Sequence, residues 1–366
     1  MRKAYTQAKI FDGEFWHSGQ ALLTDNGRVQ GILSEAEIPS DAIVENLQGN
    51  WLSPAFIDLQ IYGGNGKLFS QDTTVEAIAA TYDYCRAGGA GYFYITLATN
   101  TIEKFLEAIE IVRDYWKRGG KGLLGLHLEG PYLNKAKRGA HPADLIKPPT
   151  RNEVARLLKA GEGVIKMMTI APECCDAAIS EQIMEQGILV SAGHSNATYA
   201  EASAAFDQGI PAATHLYNAM SPLQHRAPGM VGAIFDHKEV KSSIICDGIH
   251  VDYAAARIAK KIMGSRLFYI TDAVTASTGG LYTHLLKNDH YELPDGTLSG
   301  SALTMAQCVN NGVQHLGISW EESLRMATCY PAHLIRDRKV GRLQKGYEAG
   351  LVVLNDQGQV QKLLEA

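Results

Sequence analysis

The chain has 366 residues, 46% of them hydrophobic and 20% charged, which suits a folded soluble protein built as one large α/β domain with a small accessory domain. Its formal net charge of −5 supplies no basic face, which excludes nucleic acid as a partner and leaves any anionic substrate to be met by a few local cations. Six cysteines without a CxxC or regular spacing read as free thiols of a reducing cytosol. The N-terminus, MRKAYTQAKIFDGEFW, lacks an apolar signal core, and no run approaches membrane-spanning length. The expectation is a cytoplasmic protein with no membrane partner.

Residues 1–52 are short, alternating and punctuated by Gly13, Gly19 and Asn26-Gly27, the pattern of β-hairpins. From residue 53 onward the texture changes. Apolar segments recur at 55–61, 92–97, 123–128, 164–170, 188–193, 212–216, 242–246 and 267–271, with helical periodicity between most of them. Eight near-continuous apolar strands with crossover connections predict a (β/α)8 barrel spanning 53–339. A doubly wound open sheet fits less well, because no GxGxxG follows the first strand and the count of eight suits closure. The C-terminal GRLQKGYEAGLVVLNDQGQVQKL (341–363) returns to the hairpin texture, with a turn at Asp356-Gln357-Gly358. Residues 1–52 and 340–366 are therefore expected to pair into one small β-sandwich domain.

Barrel enzymes carry their chemistry at the carboxyl ends of the strands. Those ends read Gln60, Glu129, His194, His215, Asp247 with His250, and Asp272. A lone histidine in such a place is more often a satisfied polar residue, but six polar endings on one rim are hard to explain as packing. Glu129, a carboxylate ending the apolar run LLGLHL, needs a partner or a cleft. Together Glu129, His194 and His215 form a His₂Glu set, which binds a divalent metal and leaves a position open for water. Asp272, at the end of the eighth strand, is placed to move protons beside such a centre; its alternative is to orient a ligating histidine.

LHLEGPYLNKAKRGAHP (126–142), VSAGHSNAT (190–198), THLYNAMSPLQHRAPGMVGAIFD (214–236), DGIHVD (247–252), TDA (271–273) and LSGSALTM (298–305) occur in that order. In motif and spacing the chain resembles the N-acetylglucosamine-6-phosphate deacetylases of the amidohydrolase superfamily over nearly its whole length. The resemblance implies hydrolysis of the acetamide of N-acetylglucosamine 6-phosphate to glucosamine 6-phosphate and acetate. It casts Glu129, His194 and His215 as ligands of one divalent metal per subunit, Zn²⁺ first and Fe²⁺ as the alternative, and Asp272 as general base and acid. His141 takes the place of the histidine near the acetyl carbonyl. Ala140, His141, Asn218, Ala219, Arg226, Asp247, Gly248, Ile249, His250, Leu298, Ser299 and Gly300 match substrate or phosphate contacts. A homodimer is implied, with a tetramer as the alternative and the neighbouring subunit near the phosphate site.

An arginine in the Gly/Pro-containing loop QHRAPGM suits a bidentate grip on phosphate. Alternatives to the main reading are deacetylation of the galactosamine epimer and a non-catalytic relative that keeps the barrel for assembly. The first strand, IDLQIYGG (57–64), carries Gln60 and Tyr62 where many amidohydrolases have His-x-His. An amide and a protonated phenol are poor metal ligands, so a mononuclear centre is expected. Gln60 is expected to hydrogen-bond beside that centre and Tyr62 to pack at the rim.

Overall fold

The computed structural model describes residues 1–335 and 339–365. Residues 336–338 and 366, which belong to the expected barrel and β-domain respectively, lie outside them. The chain divides into two compact units, one of residues 1–58, 84–92 and 304–366, the other of 59–83 and 93–303.

In the first unit the hairpin signals hold. Strands Gln20–Asp25 and Arg28–Ser34 are joined through Asn26 and Gly27, whose φ angles of 48° and 72° are the positive pair that a tight two-residue hairpin turn needs. They sit in a four-stranded sheet with Arg2–Thr6 and Ile43–Asn46. In a second sheet, Leu351–Leu354 runs antiparallel to Trp51–Pro54, with Leu354 opposite Trp51. Ile10, Leu22, Val29, Leu52, Leu351 and Val353 form the apolar core of this unit.

An eight-stranded parallel sheet follows chain order: β1 (Phe56–Ile61), β2 (Ala90–Ala98), β3 (Leu123–Glu129), β4 (Ile165–Ile170), β5 (Leu189–Ala192), β6 (Ala212–Ala213), β7 (Lys241–Ile245) and β8 (Leu267–Ile270). Every residue of β1, β2 and β3 is buried, as expected of strands covered on both faces. The barrel closes at its carboxyl rim, where Ile61 bridges Ala273 and the Tyr62 N–H donates to the Ala273 carbonyl at 2.9 Å.

Register fixes the rim: Ala98 lies opposite Glu129, Glu129 opposite Thr169, Ile170 opposite Ala192 and Ile245 opposite Ile270. Helices alternate with the strands, and their starts follow local chemistry. The Thr101 hydroxyl caps the helix Ile102–Lys117, and Thr198 with Glu201 forms a capping box on the helix Tyr199–Asp207. After β8 the chain makes an excursion that sequence periodicity does not announce, a three-stranded antiparallel sheet of Leu285–Lys287, His290–Glu292 and Leu298–Ser301. No helix among the described residues is long and apolar enough to cross a membrane.

Candidate metal centre and active-site cavity

A cavity of about 390 Å³ opens at the carboxyl rim of the barrel. Glu129, His194, His215 and Asp272 line it, with Ala140, His141, Asn218, Ala219, His250, Leu298, Ser299 and Gly300. Asp247, Gly248 and Ile249 do not. Asp247 acts from behind: its carboxylate accepts from the Ile249 and His250 backbone N–H groups at 2.9 and 2.8 Å and pairs with His250 Nδ1 at 2.6 Å. Arg226 is exposed in its loop and does not line the cavity.

The strand ends bend to reach this geometry. His194, His215 and Asp272 have φ angles of +47°, +38° and +54°, left-handed conformations that cost a side-chain-bearing residue roughly 1–3 kcal/mol each. Strain of this kind persists only where the surroundings hold it. Around His194, the Asn134 N–H donates to its carbonyl at 3.0 Å, and the carboxylate of Glu173 accepts from Ser195 Oγ, the Asn196 N–H and Asn134 Nδ2 at 2.7, 2.6 and 2.9 Å.

The three expected ligands meet. Glu129 Oε1 lies 3.2 Å from both His194 Nε2 and His215 Nε2, and those two nitrogens are 3.1 Å apart. A tetrahedral cation with bonds of about 2.0–2.1 Å places neighbouring ligand atoms about 3.3 Å apart, so this triangle fits one small divalent ion. His194 Nδ1 donates to the Lys137 carbonyl at 2.9 Å, which leaves Nε2 as a bare lone pair facing the centre. Ligand atoms of Glu129, His141 and His194 also fall within 4.8 Å of one another. His141 differs in its proton: Nδ1 accepts from the Thr99 N–H at 3.4 Å, so the ring hydrogen is on Nε2, 3.3 Å from Glu129 Oε2. That places a donor, not a ligand, on this side. Burial pushes the His141 pKa down to about 4, keeping the ring neutral.

Electrostatics separates the two carboxylates. Burial alone would raise Glu129, but the imidazoles of His194, His141 and His215 hold it well below the usual carboxylate range. Burial raises Asp272, Glu129 adds to that push, and His215 opposes it. One carboxylate is thus held as a permanent anion while the other is tuned toward accepting a proton.

Gln60 bonds beside the centre as expected: Nε2 donates to Asp272 Oδ1 at 2.7 Å and approaches Glu129 Oε1 at 3.1 Å. Tyr62 does more than pack. Its hydroxyl donates to Glu129 Oε2 at 2.5 Å, and burial beside Asp272 and Glu129 raises the phenol well above its ordinary pKa, keeping the proton on. His127 is a further buried polar residue of the rim that the strand-end reading does not include. It lies two residues before Glu129, hence on the same inward face of β3, between Thr96 Oγ1 and Thr169 Oγ1 at 3.2 and 2.8 Å. Tyr282 and His284 reach the cavity from the excursion after β8, where no periodicity points.

A model of the amidohydrolase family matches residues 51–364. The chain belongs to the amidohydrolase family. Among members of that family, an N-acetylglucosamine-6-phosphate deacetylase of Haemophilus influenzae is 36% identical over 93% of this chain and 92% of its own. An N-acetylgalactosamine-6-phosphate deacetylase of Shewanella sp. is 32% identical over 93% and 89%. The crystal structure of N-acetylglucosamine-6-phosphate deacetylase from Pasteurella multocida superposes with a TM-score of 0.95 at 34% identity, covering 100% of this chain and 98% of that one. This amidohydrolase therefore has the barrel fold of a hydrolytic family and, within it, a buried Glu/His/His group able to hold a metal.

Proposed function

We propose that the chain hydrolyses the acetamide of N-acetylglucosamine 6-phosphate, releasing acetate and glucosamine 6-phosphate. The observation that carries this reading is the triangle of Glu129 Oε1, His194 Nε2 and His215 Nε2, at 3.1–3.2 Å, beside an inward-facing Asp272. Glu129, His194 and His215 would hold one divalent ion, Zn²⁺ ahead of Fe²⁺; when bound, it polarises the acyl carbonyl and acidifies water.

The remaining chemistry belongs to side chains. Asp272, raised by burial, takes the proton of the attacking water and returns it to the amide nitrogen, which then leaves as the neutral amine and not as its strongly basic anion. His141 aims Nε2–H at the acyl oxygen and stabilises the charge that develops there. Gln60 holds Asp272 in its orientation. His250, steadied by Asp247, meets the sugar phosphate with Asn218, Ala219 and the Leu298–Gly300 segment, all of which border the cavity except Asp247.

Arg226 lies outside this cavity, and we assign it to a phosphate site that a second subunit helps to form, in a homodimer or a tetramer. The small β-domain is assigned to residues 1–52 and 340–366 and the barrel to 53–339, in a cytoplasmic enzyme. The galactosamine epimer is the second substrate reading, because a deacetylase of that epimer is 32% identical. Acetate release from the two 6-phosphorylated N-acetylhexosamines, with metal content measured on the same sample, tests both. Faster turnover of the galactosamine compound would reverse the choice, and no release from either would remove it.

A further inference from the structure

Glu129 offers its two oxygens to different neighbours. Oε1 faces His194 and His215 at 3.2 Å each and Gln60 Nε2 at 3.1 Å, whereas Oε2 takes the Tyr62 hydroxyl at 2.5 Å. That hydroxyl has a single proton, and its competing acceptor, Asp272 Oδ1, is farther away at 3.3 Å. Gln60 Nε2 in turn donates to the phenol oxygen at 2.7 Å and to Asp272 Oδ1 at 2.7 Å. A short chain results, from amide to phenol to carboxylate, in which each donor polarises the next. The ring that carries the hydroxyl is fixed as well, packed among Leu68, Ala98, Val274 and Tyr282.

Both donors are neutral. A lysine or arginine in the same place would cancel the negative charge that a cation needs from Glu129, and a phenol does not. The phenol also occupies the oxygen that would otherwise be free to swing toward the ion or toward His141 Nε2, which lies 3.3 Å away. Second partners of this kind orient a ligand and tune its strength without touching the metal.

We propose that Tyr62 is a positioning residue that holds Glu129 as a one-oxygen ligand and thereby sets how tightly the centre binds its cation; the inference rests on the metal-hydrolase reading above. Tyr62 acts through Glu129. It keeps the carboxylate turned so that Oε1 completes the triangle with the two imidazoles, and it leaves the proton-moving work to Asp272.

Tyr62→Phe keeps the ring and its packing and removes only the hydroxyl. The expected result is a Zn²⁺ dissociation constant, measured by chelator competition, raised about ten- to hundredfold. The increase in melting temperature on adding Zn²⁺ should shrink accordingly. At saturating Zn²⁺, kcat should fall while KM for the 6-phosphorylated sugar stays within about twofold. Gln60→Met leaves Tyr62 but removes the donor to the phenol together with the contacts to Glu129 Oε1 and Asp272 Oδ1, and should weaken Zn²⁺ binding less than Tyr62→Phe does. Zn²⁺ affinity of Tyr62→Phe equal to that of the parent overturns the proposal, whatever Gln60→Met does, as does an equal drop in melting temperature with and without Zn²⁺, the signature of packing alone. Should the parent bind Zn²⁺ yet release no acetate, the substrate reading fails and the Zn²⁺ comparison still decides the role of Tyr62.

Discussion

Gln60, on the first strand of the barrel, and Asp272, two residues past the end of the last, are joined twice: the Asp272 N–H donates to the Gln60 carbonyl at 3.0 Å, and Gln60 Nε2 donates to Asp272 Oδ1 at 2.7 Å. The seam that closes the barrel is thus also the contact that aims the proposed base. Because the first bond is between backbones, it does not depend on the Asp272 carboxylate or the Gln60 amide.

That double link makes Asp272→Asn a clean probe. The amide oxygen can still accept from Gln60, and the backbone seam is untouched, so metal and substrate binding should persist. What disappears is a group able to take and return a proton. We expect kcat to fall by at least ~10²-fold with KM little changed, the usual scale for loss of a general acid–base. A variant turning over at near the parental rate would remove Asp272 from the mechanism.

Removal of the metal should abolish acetate release, and about one equivalent of divalent ion per chain should restore it. The stoichiometry follows from the donors present. Glu129 Oε1 and two imidazoles form one compact triangle, while the Gln60 amide and the protonated Tyr62 phenol engage those carboxylates as hydrogen-bond donors. Elemental analysis of protein purified without chelator checks this. Two tightly held equivalents would contradict a mononuclear centre.

Glu129, His194, His215 and Asp272 are legible in the sequence because each ends an apolar run, and a parallel barrel turns strand ends into neighbours. The eight strands are legible for the same reason: burial on both faces leaves long apolar runs that hairpins do not show. Tyr62 reads as rim packing, since nothing in IDLQIYGG says that a phenol two residues beyond Gln60 aims at a carboxylate 67 positions away. Glu173 is invisible for a similar reason; its three partners lie on loops after two other strands. His127 can be found, because alternation along β3 puts it on the face of Glu129. The sheet at 285–301 lies in a stretch where neither period 2 nor period 3.6 dominates, and its place beside the cavity comes from tertiary contacts alone.

Arg226→Ala tests the phosphate assignment from outside the cavity. A charge-assisted contact to phosphate contributes roughly 1.5–3 kcal/mol, so kcat/KM for the 6-phosphorylated sugar should fall about ten- to hundredfold. Little change is expected with unphosphorylated N-acetylglucosamine. Equal losses with both substrates would argue against phosphate recognition, and so would a subunit that remains monomeric with full activity.

Gly130 connects the fold to the centre, because it follows Glu129 directly. Its φ is +88°, and a Cβ placed there would sit 2.2 Å from Thr99 Oγ1, the hydroxyl that lies 2.8 Å from His141 Nδ1. Gly163 provides a control, with φ of +74° and nothing within 4 Å of the point a methyl group would occupy. Gly163→Ala should therefore carry only the left-handed strain, about 1–2 kcal/mol. Gly130→Ala adds a clash with a tightly packed neighbour, a further 1–3 kcal/mol or so. It also pushes Thr99 against His141 and shifts Glu129 out of the ligand triangle. Thermal unfolding of the two variants should thus separate by several degrees, and only Gly130→Ala should lose Zn²⁺ affinity. Equal melting temperatures with equal Zn²⁺ binding would mean that the close approach at Gly130 does not constrain the centre.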